Sequence, residues 1–274
     1  PTNIVILNFF FVVYLVSGQG CAARKTQKSA FELPQSFENV LIAQSHKDDG
    51  FGPCEPTIAI NPTNISNIAA GAILNRYYWS EDGGKTWQSQ ILDSPYGVFG
   101  DPVIVADALG NFYYAHLSDP EGKGWSSPKL LDRIVIQKST DGGKTYSKGT
   151  YCGLRPPKDQ DKQWLATDPK THAVYCAWTE FDAYGSMDKE KDKSRILFSK
   201  STDGGSTWTE ARAINQFEGD CEDDDYTPEG AVPAVGPNGE VYVCWAWNNK
   251  LWFDRSLDGG LTWLNEDIVV AEQP

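Results

Sequence analysis

The sequence predicts an all-β protein, a β-propeller with about four four-stranded blades present. Two observations carry that prediction. One eight-residue motif recurs four times at a nearly constant interval, and the stretches between copies are short apolar runs separated by turn residues. No stretch reads as a long amphipathic helix.

The copies are Ser80-Glu81-Asp82-Gly83-Gly84-Lys85-Thr86-Trp87, Ser139-Thr140-Asp141-Gly142-Gly143-Lys144-Thr145-Tyr146, Ser201-Thr202-Asp203-Gly204-Gly205-Ser206-Thr207-Trp208 and Ser256-Leu257-Asp258-Gly259-Gly260-Leu261-Thr262-Trp263. Their period is about 60 residues, which marks a repeat architecture in which each copy belongs to one supersecondary unit. Each copy reads as a hairpin turn. An apolar run such as Ile134-Val135-Ile136 precedes it, and the glycine pair supplies the positive φ angles that other residues reach only at a cost. The Asp carboxylate can accept backbone N–H bonds across the turn, helped by the Ser and Thr hydroxyls. The closing Trp or Tyr then starts the next strand and packs between sheets.

Upstream of each motif lies a second pattern, in which a polar start leads into an apolar strand, a turn and an aromatic strand. It reads Glu55-Pro56-Thr57-Ile58-Ala59-Ile60, Asp101-Pro102-Val103-Ile104-Val105, Asp161-Lys162-Gln163-Trp164-Leu165 and Glu229-Gly230-Ala231-Val232 in the four units. Each unit therefore supplies four short strands, as a blade requires. Blades are expected near residues 54–98, 100–150, 161–214 and 229–270, within a propeller region spanning 51–274. Residues 37–44 read as a further strand, of which 40–43 are expected to complete the last blade and lock the ring. Cys176 and Cys244 fall in core strands. Cys54, Cys152 and Cys221 fall in loops, with a Cys54–Cys221 disulfide left open.

The 274 residues carry a net charge of −13 and no basic stripe, which excludes nucleic acid as a partner. The three histidines are scattered, with no zinc-like Cys/His spacing. Residues 4–16 are nearly all apolar, too few to span a bilayer but suited to a signal peptide over residues 1–21. A buried core strand is the alternative. Small residues just before Cys21 resemble a loose lipobox, which makes Cys21 a lipidation candidate. Residues 22–50 then form a polar tether. The protein is expected to be exported (periplasmic, cell-surface or secreted), with membrane contact only through its signal or lipid anchor.

The four S-x-D-G-G-x-T-W copies resemble the Asp boxes of BNR-repeat β-propellers in the sialidase superfamily. The resemblance implies a glycoside hydrolase fold acting as an exo-glycosidase on carbohydrate or glycoprotein. Its rings close with six or more blades, so the chain is expected to be part of a six- or seven-bladed ring with exposed sheet edges. In that family the box joins the third and fourth strands of a blade, away from the catalytic face. Asp82, Asp141, Asp203 and Asp258 are therefore structural.

Chemistry belongs at the opposite rim, where the innermost strands start. Glu55, Asp101, Asp161 and Glu229 occupy those positions, with a one-residue slip in the last two units. Four carboxylates facing one cleft repel one another, raise pKa values and become acid/base candidates for glycoside hydrolysis. The alternative is that acids before Pro simply favour an extended strand start. Trp164, Tyr184 and Tyr226 are candidates for stacking on sugar rings. The acidic loop 219–229 offers Asp220, Asp223 and Asp225 as calcium candidates, against the alternative of a solvated loop.

True sialidases carry an Arg-Ile-Pro element at the first inner strand, and the matching stretch here is Cys54-Glu55-Pro56. A carboxylate in place of that arginine disfavours an anionic sugar. Glu229 falls where the family's glutamate partner of a nucleophilic tyrosine is expected, and that tyrosine and a further arginine are expected in later blades. Two functions follow: an exported glycoside hydrolase for a neutral or cationic sugar, or a non-catalytic surface propeller that binds glycans or proteins.

Overall fold

Among the described residues, sixteen antiparallel strands form four separate sheets of four, each wound in chain order. The computed structural model describes residues 38–44 and 52–272. From residue 40 onward the chain forms one unit, separate from Pro1–Asn39. The expected signal segment 1–21, the lipidation candidate Cys21 and most of the expected tether lie outside the described residues.

Blade 1 holds β1 (Thr57–Ile60), β2 (Ile68–Ala72), β3 (Arg76–Ser80) and β4 (Gln88–Ile91). Blade 2 holds β5 (Val103–Ala106), β6 (Phe112–Leu117), β7 (Ile134–Ser139) and β8 (Thr150–Cys152). Blade 3 comprises β9 (Asp159–Thr167), β10 (Val174–Phe181), β11 (Ser194–Ser201) and β12 (Arg212–Ala213). Blade 4 comprises β13 (Glu229–Val235), β14 (Val241–Trp247), β15 (Lys250–Ser256) and β16 (Ile268–Glu272). The innermost strands β1, β5, β9 and β13 contact one another in succession. No helix among the described residues is long and apolar enough to cross a membrane.

The sequence of each strand follows from its place in the blade. β6 (Phe-Tyr-Tyr-Ala-His-Leu) and β10 (Val-Tyr-Cys-Ala-Trp-Thr-Glu-Phe) are buried along their whole length, because a neighbouring blade covers each face. Such strands read as continuous apolar runs instead of alternating ones. The outermost strands β4 and β12 are short, exposed and polar, which suits a sheet edge. Apolar seams fill the spaces between blades. Tyr77 and Trp79 meet Phe112 and Tyr114 in the first seam, Ala115 and Ile134 meet Cys176 and Trp178 in the second, and Ile196 and Phe198 meet Val243 and Trp245 in the third.

The boxes join the third and fourth strands of every blade. In the second, Ser139 Oγ donates to Asp141 Oδ1 (2.8 Å) and accepts the Gly143 N–H (2.9 Å). Asp141 Oδ1 also accepts the Lys144 and Thr145 N–H groups, while Thr145 Oγ1 donates to Oδ2 at 2.6 Å. The same pattern recurs around Asp82, Asp203 and Asp258.

These turns also do something the sequence did not announce. Each box after the first docks on the preceding blade. Asn67 Nδ2 donates to Gly142 O (2.8 Å) and the Tyr77 hydroxyl to Lys144 O (2.9 Å). Thr150 Oγ1 donates to Gly205 O, Lys200 Nζ to Gly259 O, and Arg212 to Gly260 O.

Two expectations need correction. Residues 40–43 form no strand in any of the four sheets, and the last blade of a larger ring that they are expected to complete is not among these four. Ala43 instead packs on Ala70, Ala72 and Tyr78 of blade 1, because small residues on β2 leave an apolar hollow there. Cys152 is not a loop residue. It ends β8 and lies in the buried core beside Cys176, while Cys54 is exposed, Cys221 is buried, and both are free thiols.

The docking predicts unequal costs for glycine substitutions of the same backbone type. Gly83 has φ +74° with open space around it, so Gly83→Ala is expected to cost about 1 kcal/mol, the strain of the left-handed region alone. Gly260 has φ +85°, and an added Cβ would fall 2.5 Å from the Phe198 ring, so Gly260→Ala is expected to cost about 3 kcal/mol. Urea unfolding midpoints of the two variants, at unchanged m, check this ordering.

Candidate active site

The innermost strand of every blade begins with the same backbone step. Glu55 (φ +50°), Asp101 (φ +48°), Lys162 (φ +51°) and Gly230 (φ +68°) all take the left-handed conformation just before or within the strand start. Three of these four are not glycine, and non-glycine residues hold such angles only where their surroundings enforce them. The shared step also settles the register. Lys162 and Gly230 correspond to Glu55 and Asp101, so Asp161 and Glu229 each stand one residue earlier.

The four predicted carboxylates do converge, together with a fifth that sequence reasoning had placed in a different role. Lys162 Nζ lies 3.1 Å from Asp101 Oδ2. Glu55 hydrogen-bonds to Asp101, and burial together with the Asp101 charge raises its pKa. Asp161 is buried and accepts the Lys162 N–H at 2.7 Å. Burial, reinforced by the Asp101 charge, pushes its pKa up to about 7. Glu229 is pushed up to about 8, by burial first and then by the charge of Asp223, with which it shares a hydrogen bond. Asp223 is the fifth acid.

Tyr184 donates its hydroxyl to Asp223 Oδ2 at 2.6 Å. Burial and the same Asp223 carboxylate hold the Tyr184 phenol far above its usual range, so it is a hydrogen-bond donor and not a phenoxide nucleophile. Burial works against the Lys162 charge, but Asp101, Asp161 and Glu55 outweigh it and hold the ammonium protonated.

Neighbouring blades fix these groups. Buried Gln163 donates to the carbonyl of Asp101, tying blade 3 to blade 2. Thr179 Oγ1 donates to Pro228 O (2.9 Å), which sets the chain just before Glu229. The fully buried Glu180 gathers Arg195 (2.9 Å), Arg155 (3.0 Å) and Lys158 (3.2 Å). Arg155, which sequence alone could not place, is thereby committed to a structural network, and Arg212 is committed to the fourth Asp box.

Two hollows expose Glu55, Asp101, Asp223 and Glu229, while buried Asp161 lines neither. One, of about 290 Å³, is lined by Glu55, Asp101, Lys162 and Trp164 with apolar walls from Pro56 and Pro102. The other, of about 390 Å³, is lined by Asp223, Asp224, Asp225, Glu229, Trp247 and Asn249. Lys162 is the single cationic side chain in either lining.

The remaining predicted residues divide. Trp164 presents 44% of its surface at the first hollow. Tyr226 lines neither. Its ring carries the Lys189 ammonium 5.7 Å away, and its carbonyl accepts Trp247 Nε1. The calcium candidates are not brought to one point. Asp223 serves Tyr184 and Asp225 lines the second hollow, while Asp220 joins Glu222 and Asp224. Lys189 Nζ stands 2.9, 3.0 and 3.8 Å from Asp220, Glu222 and Asp224, supplying the counter-charge. The box aspartates lie at the strand ends opposite the strand starts. Their pKa values are lowered by hydrogen bonds, as for Asp82, held near 2 chiefly by the Thr86 N–H.

Sequence reasoning missed Trp125, Trp247 and Phe217. Trp125 is 68% exposed and Phe217 stacks on Trp247 at 5.9 Å. A tryptophan standing alone in Gly122-Lys123-Gly124-Trp125-Ser126-Ser127-Pro128 was the legible signal, since nothing apolar surrounds it in the chain.

No protein-family model matches the chain. A curated sialidase of Bacteroides fragilis (strain YCH46) is 29% identical over 150 residues, covering 47% of this chain and 27% of the relative. The chain thus spans about a quarter of the length of that relative. Among solved structures, a protein of unknown function from Dyadobacter fermentans DSM 18053 matches with TM-score 0.61 at 17% identity, over 85% of this chain and 72% of that one. The Hadza microbial sialidase Hz136 matches with TM-score 0.52 at 17% identity (76% and 45%). An α-L-arabinofuranosidase, arb93a of Fusarium graminearum, matches with TM-score 0.52 at 14% identity (79% and 66%). The fold is that of a sialidase-like β-propeller.

Proposed function

We propose that the protein is a glycoside hydrolase whose site takes a neutral or cationic sugar. The observation that carries this reading is the pair of acids Glu229 and Asp161, whose pKa values are raised to about 8 and about 7 within one carboxylate cluster. Glycoside hydrolysis needs one carboxyl that is protonated as the acid and a second that is ionised as base or nucleophile. Glu229, protonated at pH 7, gives its proton to the glycosidic oxygen as the bond to the anomeric carbon breaks. Asp161, partly ionised there, acts as base toward the attacking water or as nucleophile toward the anomeric carbon. Inversion or retention of the product anomer tells these two apart. Asp101, held by Lys162, and Glu55 stabilise the positive charge that develops on the sugar.

Lys162 is the single cation lining the two hollows and is already held by Asp101, so nothing there grips a sialate carboxylate and sialosides are expected to be poor substrates. The sialidase and arabinofuranosidase likenesses support a carbohydrate substrate, and the apolar run at residues 4–16 supports export. A second reading, glycan binding without turnover, is favoured by the resident partners of two acids: Lys162 on Asp101 and Tyr184 on Asp223.

The variants Glu229→Gln and Asp161→Asn separate the two readings. Hydrolysis of neutral and amino-sugar glycosides is expected to fall by about 10²–10⁴-fold in each, the usual worth of a positioned acid or base, while glycan binding persists. Absence of turnover in the unaltered protein across such a panel would leave only the binding reading. A pH–rate profile is expected to be bell-shaped, with limbs near 7 and 8.

Stability gives an independent check on the same acids. The folded chain keeps protons on Asp161 and Glu229 that the unfolded chain releases near pH 4. Their contribution to stability is therefore intact below pH 4 and lost as pH rises through about 7 and 8. Glu229→Gln and Asp161→Asn are expected to melt above the unaltered protein at pH 9 and level with it at pH 4, measured by circular dichroism.

A further inference from the structure

We infer that the carboxylate face holds a second sugar position on Trp125 and Tyr184, so that the ligand is an oligosaccharide or glycan chain and not a single sugar on a small aglycone. The inference rests on the carbohydrate site proposed above and extends it outward from the acid pair.

Trp125 stands in the short 3-10 turn Gly124–Ser126, in the connection between β6 and β7 of blade 2. Its indole is 68% exposed, a flat apolar surface open to a ligand. The loop is also not a slack one. Asp119 Oδ2 accepts the Gly124 N–H at 2.8 Å and Oδ1 accepts that of Lys123 at 3.2 Å. The Ser127 N–H closes the turn on Gly124 O at 2.9 Å, and Lys123 and Lys129 both bridge Glu121. The chain thus spends several bonds on holding a tryptophan outward.

The ring has a direction as well. It lies 5.4 Å from the Tyr184 ring at 32°, and Phe99 meets it edge-on at 5.8 Å. Tyr184 in turn reaches Asp223 with its hydroxyl, and Asp223 shares a hydrogen bond with Glu229. An aromatic surface therefore leads from solvent on blade 2 to the acid pair between blades 3 and 4. A pyranose presents a flat C–H face that stacks on such a surface, while its hydroxyls remain in water. A sugar on Trp125 would then be joined to a neighbour whose glycosidic oxygen reaches Glu229.

The test compares Trp125→Ala and Trp125→Phe in the full chain, using mannotriose and the glucosamine trisaccharide as probes beside the matching 4-nitrophenyl monoglycosides. Trp125→Ala is expected to weaken trisaccharide binding and raise its KM about 10-fold, the scale of one aromatic contact. Monoglycoside turnover should stay within about twofold, and Trp125→Phe should recover part of the loss. Equal effects on both substrate lengths, or none on the trisaccharides, overturn the inference, as does failure of the unaltered protein to bind either trisaccharide. Calorimetry in the Glu229→Gln background reads binding without turnover. If the unaltered protein binds trisaccharide without hydrolysing it and Trp125→Ala does not bind, the hydrolase reading falls and the second sugar position stands.

Discussion

The arrangement of the blades depends on how each Asp box after the first is seated on the blade before it. A box closes its own hairpin through the Asp carboxylate, and in doing so it leaves the glycine carbonyls pointing outward as acceptors. Asn67 takes Gly142, Thr150 takes Gly205, and Lys200 with Arg212 takes Gly259 and Gly260. Each seam is thus fixed at its base by polar bonds and filled above by aromatic packing. The angle between successive blades follows from both together. Glycine is required at this place because the turn needs positive φ and because the preceding blade leaves no room for a side chain, as Phe198 does against Gly260.

That angular order is what brings the acids together. Each innermost strand starts at the rim opposite the boxes, with a left-handed residue at the step. Separate blades therefore deliver Glu55, Asp101, Asp161 and Glu229 to one face, with Asp223 entering from the connection between the last two blades. Burial first, and then repulsion from the neighbouring carboxylates, raises Asp161 and Glu229 to about 7 and about 8. The cost is partly offset by Lys162. It is the single cation lining the two hollows, and Arg155, Lys158 and Arg195 are drawn to buried Glu180. The site is left strongly acidic, with aromatic surfaces on blades 2 and 4 to either side of blade 3.

The fold was legible in the chain to a degree that the site was not. Sixteen strands in four sheets follow from the four boxes and the apolar runs between them, because both signals are local and repeated. The convergence of Glu55, Asp101, Asp161 and Glu229 was also legible, since a repeat places equivalent residues at equivalent positions. Residues outside the repeat were not. Asp223 looked like one more member of an acidic loop, and only its bond to Tyr184 separates it from Asp220, which Lys189 neutralises. Tyr226 looked equivalent to Tyr184, yet it turns to Lys189.

The sequence by itself determined the blade repeat, the structural role of the four box aspartates and the negative charge of the opposite rim. It could do so because turn chemistry and strand periodicity act over a few residues. Which acids share protons, which cations are already spent and which aromatics face the acids were decided only in the tertiary structure. Those properties depend on distances between residues that lie on different blades, and seams between blades, not spacing along the chain, set them.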